Sequence, residues 1–124
     1  MKNLIPFAVL FTALTFGSCQ SNTSTPEGSA KAFLEAMMNV DFNEAKKYGN
    51  PAMKEFISST MEKMTKAERD ETKKKILLDN VKITTVKCVQ DGDKATCTLS
   101  FNKEGRSEAL DLVKENGQWL VDDL

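Results

Sequence analysis

Histidine is absent from this sequence, and tryptophan and tyrosine occur once each. Histidine is the side chain whose ordinary pKa lies nearest neutral pH, and it is also the commonest metal ligand. Its absence removes the usual general base, and the three cysteines do not by themselves make a zinc site. We therefore expect no catalytic residue set, no metal site and no cofactor.

An excess of charge of one sign is also missing. The chain has 17 basic and 18 acidic side chains, for a formal net charge of −1. Nucleic-acid binding needs a basic face, so we expect no nucleic-acid partner. The length of 124 residues and the hydrophobic share of 40% are those of one ordinary globular domain.

No apolar run is long enough for a transmembrane helix, which needs about 20 residues. The apolar run near the N-terminus, residues 4–16, has 13 residues and follows the single positive charge of Lys2. A short positive segment before an apolar core of this length is typical of a secretory signal peptide. Such a segment is kept apart from the reasoning about the fold.

The apolar run is followed by Gly17-Ser18-Cys19, and this tripeptide resembles the lipobox of bacterial lipoprotein precursors. Phe16 departs from the usual leucine but is common in Bacteroidetes-like lipoproteins. The resemblance implies a signal peptide at residues 1–18, cleavage before Cys19, and acyl chains such as palmitate on that cysteine as the membrane anchor. The alternative is an ordinary cleaved signal peptide that leaves Cys19 as a free thiol.

The residues after Cys19 are small and polar and show no apolar periodicity. Segments of this composition stay flexible, so residues 19–25 are predicted to be a tether. No acidic run follows Cys19, and in lipoproteins of the type that the sequence resembles such a run marks export to the cell surface. We therefore expect a protein of the cell envelope, held at the periplasmic face of the outer membrane.

Four helix starts are predicted, each with a capping signal. The first two are Thr25-Pro26 and Asp41 with Glu44, and the second two are Asn50-Pro51 and Thr65 with Glu68. From residue 81 the apolar period changes to two, which indicates strands at 81–89, 95–101, 109–114 and 119–124. Helices followed by an antiparallel meander make an α+β domain at residues 26–124.

The turns between the strands fix a trial register. A first turn at Gly92-Asp93 sets Val86 opposite Leu99 and Cys88 opposite Cys97. The two later turns, centred on Glu104-Gly105 and Asn116-Gly117, predict the pairs Leu99 with Leu110, Cys97 with Leu112, and Leu112 with Val121. All seven apolar side chains then share one face of the sheet.

Cys88 and Cys97 remain once Cys19 is assigned to lipid. The register places them directly opposite each other, and the expected compartment is oxidising. We therefore expect a disulfide between Cys88 and Cys97. The alternative is a pair of buried free thiols that pack as small hydrophobic groups.

Short motifs through most of the domain resemble small lipoproteins of unknown function with a nuclear-transport-factor-2-like, or lumazine-binding-like, domain. The motifs that carry the resemblance are Thr25-Pro26-Glu27, Phe33-Leu34, Asp41-Phe42, Ala45-Lys46-Lys47-Tyr48, Asp91-Gly92-Asp93-Lys94-Ala95 and Gly117-Gln118-Trp119-Leu120-Val121-Asp122. The resemblance implies a cystatin-like cone, in which N-terminal helices pack into a curved four-stranded sheet and leave a pocket at the wide end. Enzymes of this fold place Asp, Tyr or His in the pocket, and no catalytic residue is carried over to this chain.

Three functions remain open. The first is a non-catalytic binding domain for a small apolar ligand or a protein partner, with a pocket lined by Phe33, Met37, Phe56 and Trp119. The second is a structural or assembly lipoprotein that forms a homodimer through the open face of its sheet. The third is an isomerase-like or dehydratase-like enzyme, which would need a buried carboxylate or Tyr48 facing the pocket.

Overall fold

The structure is a computed structural model, and it describes residues 22–124. The signal peptide predicted at residues 1–18, the lipidation site Cys19 and the first part of the tether lie outside the described residues. Within residues 22–124, no helix is both long and apolar enough to cross a membrane.

The first half of the described chain is helical. Its elements are α1 (Pro26–Met38), α2 (Phe42–Lys46), α3 (Pro51–Phe56), a π-helical turn that continues α3 (Ile57–Met61), and α4 (Lys66–Leu78).

The sequence-predicted caps are confirmed at all four helix starts. The Thr25 side chain accepts from Gly28 N at α1, and the Asn50 side chain accepts from Met53 N at α3. At α4, Thr65 forms a capping box with Glu68. These bonds satisfy backbone N–H groups that have no partner within the helix.

The cap of α2 differs from the predicted capping box in one detail. The Asp41 side chain accepts from Glu44 N, as expected. The Glu44 carboxylate instead lies 3.0 Å from Lys47 Nζ and accepts from the Tyr48 hydroxyl at 3.3 Å. The acidic side chain at this third helical position is thus used to hold the end of the helix rather than its start.

The second half forms one antiparallel sheet with strand order β1-β2-β3-β4. Its strands are β1 (Ile83–Asp91), β2 (Lys94–Phe101), β3 (Ser107–Glu115) and β4 (Gln118–Asp123). The α+β class with four helices and a four-stranded antiparallel sheet is therefore confirmed for the described residues. The strand β1 begins and ends two residues later than the predicted range 81–89.

The first and third predicted registers are confirmed, and the second is wrong. The structure pairs Cys88 with Cys97 in the first hairpin and Leu112 with Val121 in the third. In the second hairpin, Leu110 faces Cys97, not Leu99. The pairing between β2 and β3 is thus shifted by two positions, which keeps the apolar side chains on the same face.

Asn102 accounts for the shift. The turn is centred on Glu104-Gly105 as predicted, with Arg106 N donating to Lys103 O at 3.2 Å. However, Asn102 leaves the ladder and binds the chain before β1: its N donates to Lys82 O, its Nδ2 donates to Asn80 O, and its Oδ1 accepts from Lys82 N. The β2 side of the loop therefore holds extra residues that a symmetric two-residue turn would not contain.

The core lies between the helices and one face of the sheet. The helix α1 contacts all four strands. The largest apolar side chains that are completely or almost completely buried are Phe33, Ile57, Leu99, Leu110, Leu112 and Val121. Of the face predicted from the sequence, Val86 and Cys88 are half-buried and pack against this core. Burial of this apolar surface is the main stabilising contribution to the fold.

The two edges of the sheet differ. The outer edge of β4 is covered, because Val121 N donates to Tyr48 O at 2.7 Å and Asn50 N donates to Val121 O at 3.0 Å. The Asn50 side chain also donates to Asp122 Oδ1. In the part of the chain that the structure describes, no strand pairs with the outer edge of β1.

The contacts of the domain extend before Pro26. Asn22 Nδ2 donates to the Tyr48 hydroxyl at 3.2 Å, and Asn22 O accepts from Ser29 Oγ at 3.2 Å. Gly28 allows this approach, since a Cβ atom at that position would lie 2.5 Å from Asn22 O. Residues 22–25, the described end of the predicted tether, therefore contact the domain.

Candidate functional site

The helix α4 leaves a cleft between itself and the rest of the domain. None of its residues is fully buried, although α4 is as long as α1. The cleft has a volume of about 410 Å³ and is bordered by α1, α4 and the nearest ends of β2 and β3. Its apolar lining consists of Leu34, Met38, Ile76, Val81 and Phe101.

Charged side chains surround this apolar floor. Arg106 lies with its guanidinium carbon 5.9 Å from the centre of the Phe101 ring, a distance typical of a cation–π contact. The other charged residues of the lining are Glu71, Lys75, Asp79 and Glu108. Because both signs are present, the cleft does not select a ligand by net charge.

A second cleft adjoins the first one beside the C-terminal half of α4. It has a volume of about 420 Å³ and shares Met38, Ile76 and Val81 with the first cleft. Leu77, which is 72% exposed, and Ile83 extend its apolar lining. The C-terminal half of α4 is thus flanked by two clefts, and we call this pair of clefts the α4 groove.

The side-chain contacts of two residues, Arg69 and Asn102, position the walls of the α4 groove. Arg69 holds the first half of α4, with Nη2 donating to Glu62 O at 2.9 Å and its guanidinium carbon 5.2 Å from the centre of the Phe42 ring. Asn102 holds the segment before β1, which carries Val81 into the floor. The shifted register between β2 and β3 sets Glu108 opposite Leu99 and so places a carboxylate at the groove.

The four pocket residues that were predicted from the sequence lie elsewhere. Phe33 and Trp119 belong to the core, with 0% and 2% of their surfaces exposed. Met37 is half-buried against the core, and Phe56 is 40% exposed. The lining of the α4 groove contains none of the four.

Sequence reasoning missed the residues that form the α4 groove. One signal was present: Ile76-Leu77-Leu78 ends a helix whose preceding residues are almost all charged or polar. An apolar triplet on such a helix indicates a contact at that end only. The contributions of Phe101, Arg106 and Glu108 depend on the shifted register and had no local signal.

A disulfide joins Cys88 to Cys97 across the first hairpin. Cys97 is fully buried and Cys88 is half-buried on the inner face of the sheet. The pair is thus found where the predicted register placed it. The third cysteine, Cys19, lies outside the described residues.

The titratable groups with a shifted pKa form ordinary ion pairs away from the α4 groove. The hydrogen bond and charge of Lys46 lower the pKa of the Glu62 carboxyl, with Nζ 3.0 Å from Oε2. Glu44 raises the pKa of Lys47 through a hydrogen bond and its charge. Among residues 22–124, no group of three or more acidic or cysteine side chains is arranged to hold a metal ion.

A third cleft has three lysines among its seven lining residues. It lies beside α2 and α3, has a volume of about 490 Å³, and includes Lys46, Lys47 and Lys54. Two of these amines are already paired, Lys46 with Glu62 and Lys47 with Glu44. Pro51 is the one apolar residue among the seven that line this cleft, whereas five apolar side chains line the first cleft, so the α4 groove is the better candidate site.

No protein-family model, curated protein or solved structure matches this chain. Assignment of a function therefore depends on the residues and the geometry of the site itself.

Proposed function

We propose that this protein is a lipid-anchored protein of the cell envelope, whose domain binds a small, largely apolar molecule in the α4 groove without catalysing a reaction. The observation that carries the proposal is the floor of Leu34, Met38, Ile76, Val81 and Phe101 beneath a helix that buries none of its own residues completely. Apolar concave surfaces with a few polar groups at the margin are the usual sites for small ligands.

The membrane anchor is supported by the sequence. A positive residue, an apolar run of 13 residues and Gly17-Ser18-Cys19 occur in the order of a lipoprotein precursor. Two acyl chains on Cys19 would hold a protein stably at a membrane, since each buried methylene contributes about 0.8 kcal/mol. We place the protein at the periplasmic face of the outer membrane.

The finer fold assignment is part of the same proposal. A long first helix that contacts all four strands of a meander agrees with a nuclear-transport-factor-2-like domain. A groove between helices and one end of the sheet agrees with the pocket that this class of fold often has. The assignment raises the expectation of a ligand but does not name one.

The non-catalytic part of the proposal is supported by the state of the acidic groups. The carboxylates that line the α4 groove are all exposed, namely Glu35, Glu71, Asp79 and Glu108. Catalytic carboxylates are usually tuned by burial or by a close charged partner. The Tyr48 hydroxyl is bonded to Asn22 and Glu44, in a separate small cleft.

The anchor is tested by the intact mass of the native protein extracted in detergent. We expect the mass of residues 19–124 plus acyl chains, and a Cys19→Ser variant that keeps its signal peptide uncleaved and carries no lipid. A native protein of the mass of residues 19–124 without lipid would overturn the anchor and leave the groove unaffected.

The groove is tested by photolabelling the full chain in membranes with 3-phenyl-3-(trifluoromethyl)diazirine, a small apolar probe. We expect saturable adducts on peptides that contain Met38 and Val81, and a loss of about fivefold or more in Ile76→Asp, since a charge in an apolar site is costly. The matched control is Leu78→Asp, because Leu78 is 75% exposed and lines neither cleft. Adducts that do not saturate, or an equal loss in both variants, would contradict the proposal.

A further inference from the structure

Within residues 22–124, no strand or isolated bridge pairs with the outer edge of β1. Its residues Lys87, Val89, Gln90 and Asp91 are exposed, and Val89 is 76% exposed although it is apolar. In an antiparallel strand every second residue directs its N–H and C=O to one side, so this edge carries a row of free backbone groups. Proteins usually protect such edges with proline, bulges, short strands or a covering segment.

This protein protects its other edge in that way. The segment from Tyr48 to Asn50 lies along β4. Both the N–H and the C=O of Val121 form backbone hydrogen bonds with this segment. The strand β1 has nine residues, and its one irregularity lies at Ile83 and Thr85, far from Val89. The stretch from Lys87 to Asp91 is therefore regular, and no described segment pairs with its outer side.

The charges on this stretch are complementary to themselves. Lys87, Val89 and Asp91 alternate along the strand and so point to the same, outer face of the sheet. If two copies of β1 pair antiparallel about a twofold axis at Val89, each Lys87 faces an Asp91 of the other copy, and the two Val89 side chains face each other. An axis at Lys87 would oppose two lysines, and an axis at Asp91 would oppose two aspartates.

Neither Lys87 nor Asp91 forms an ion pair within residues 22–124, although Asp91 lies opposite Lys94 in the register of the first hairpin. In the described part of the chain, the ion pairs are Lys46 with Glu62, Lys47 with Glu44, and Lys66 with Asp70. Lys87 and Asp91 are thus available for a partner. Opposite charges directly across a strand pair stabilise the pairing, and like charges destabilise it.

We propose that this protein forms a homodimer by antiparallel pairing of β1 with β1 of a second copy, in the register centred on Val89. The partner is a second copy because the order lysine, valine, aspartate is complementary to its own reverse. The two sheets would join into one sheet of eight strands, and the outer face of each would stay open. This mode is distinct from pairing through the open face of the sheet, and it is independent of the α4 groove.

The test is sedimentation velocity of the full chain in a density-matched mild detergent, over a range of protein concentrations. We expect a reversible dimer for the unsubstituted protein. Lys87→Asp and Asp91→Lys each create two like-charge contacts per dimer, and each is expected to raise the dissociation constant by about tenfold or more. The double variant K87D/D91K restores the complementarity, so its dissociation constant should return to within about threefold of the original.

Two controls separate edge pairing from other effects. Lys103→Asp reverses an exposed charge in the loop between β2 and β3, away from the free edge, and should leave the dissociation constant unchanged. Association caused by the detergent or the anchor would not respond to Lys87 and Asp91, so the charge exchange identifies the edge. A protein that is monomeric at all concentrations, single variants that dimerise like the original, or a double variant that does not recover would each overturn the proposal.

Discussion

Ser29 and Trp119 are joined by a buried hydrogen bond across ninety positions of the chain. Ser29 Oγ donates to the carbonyl of Trp119 at 2.6 Å, and Ser29 is 0% exposed. The same hydroxyl lies 3.2 Å from Asn22 O. One small polar side chain therefore links the first helix, the last strand and the segment before the first helix.

We expect Ser29→Ala to lower the free energy of unfolding by about 1–2 kcal/mol, because the buried carbonyl of Trp119 loses its donor and a methyl group cannot replace it. Urea denaturation followed by Trp119 fluorescence measures the effect. The control is Ser59→Ala, since Ser59 is exposed and its change should stay within about 0.5 kcal/mol. Equal effects of the two variants would contradict the role of Ser29.

The Cys88–Cys97 disulfide closes a short loop, with a sequence separation of nine. The chain-entropy relation gives about 2–3 kcal/mol of stabilisation for a loop of this size. We expect Cys97→Ala together with Cys88→Ala to lower the free energy of unfolding by about this amount. A reductant should destabilise the original protein similarly and leave the double variant unchanged; a reductant effect on the variant would count against this explanation.

Asn102 holds the segment before β1 through its side chain, with Nδ2 2.6 Å from Asn80 O and Oδ1 2.9 Å from Lys82 N. We expect Asn102→Ala to lower the free energy of unfolding by about 1 kcal/mol for these exposed bonds. The more specific result is faster hydrogen exchange of the Lys82 amide, measured by mass spectrometry. Asn43→Ala, on an exposed position of α2, is the control, and unchanged exchange at Lys82 would exclude the proposed restraint.

Arg69 attaches α4 to the domain through Glu62 O and the face of Phe42. We expect Arg69→Ala to speed hydrogen exchange throughout α4 and to lower the free energy of unfolding by about 1–2 kcal/mol, from one charge-assisted bond and one cation–π contact. Lys73→Ala removes an exposed cation from the same helix and should do neither. If both variants exchange alike, the attachment of α4 lies elsewhere.

Features determined by near neighbours in sequence were predictable. The caps at Thr25, Asn50 and Thr65 depend on residues three positions away, and all were predicted correctly. The hairpins at Gly92-Asp93 and Asn116-Gly117 have two-residue loops, for which the turn alone sets the register. Their pairs, including Cys88 with Cys97, follow directly.

Features determined by distant contacts were not predictable in this way. The register of β2 against β3 depends on Asn102, whose partners Asn80 and Lys82 lie about twenty residues earlier. Phe33 and Trp119 were predicted to line a pocket and belong to the core, because an apolar pattern in the sequence does not distinguish a filled core from a cleft. The cleft depends on the distance between α4 and the sheet. Arg69 attaches α4 to the domain, but in the sequence it is only one of many charged residues on that helix.

The strand β4 meets the rest of the domain at three separate places: Ser29 on α1, the segment from Tyr48 to Asn50, and the neighbouring strand β3. During folding, helices and hairpins can form early because their contacts are local, but this closure waits until residues 118–123 have docked. Contacts between residues so far apart in sequence also form slowly, because a long loop must close first. The domain therefore stays open until β4 has docked, and the last strand completes its tertiary structure.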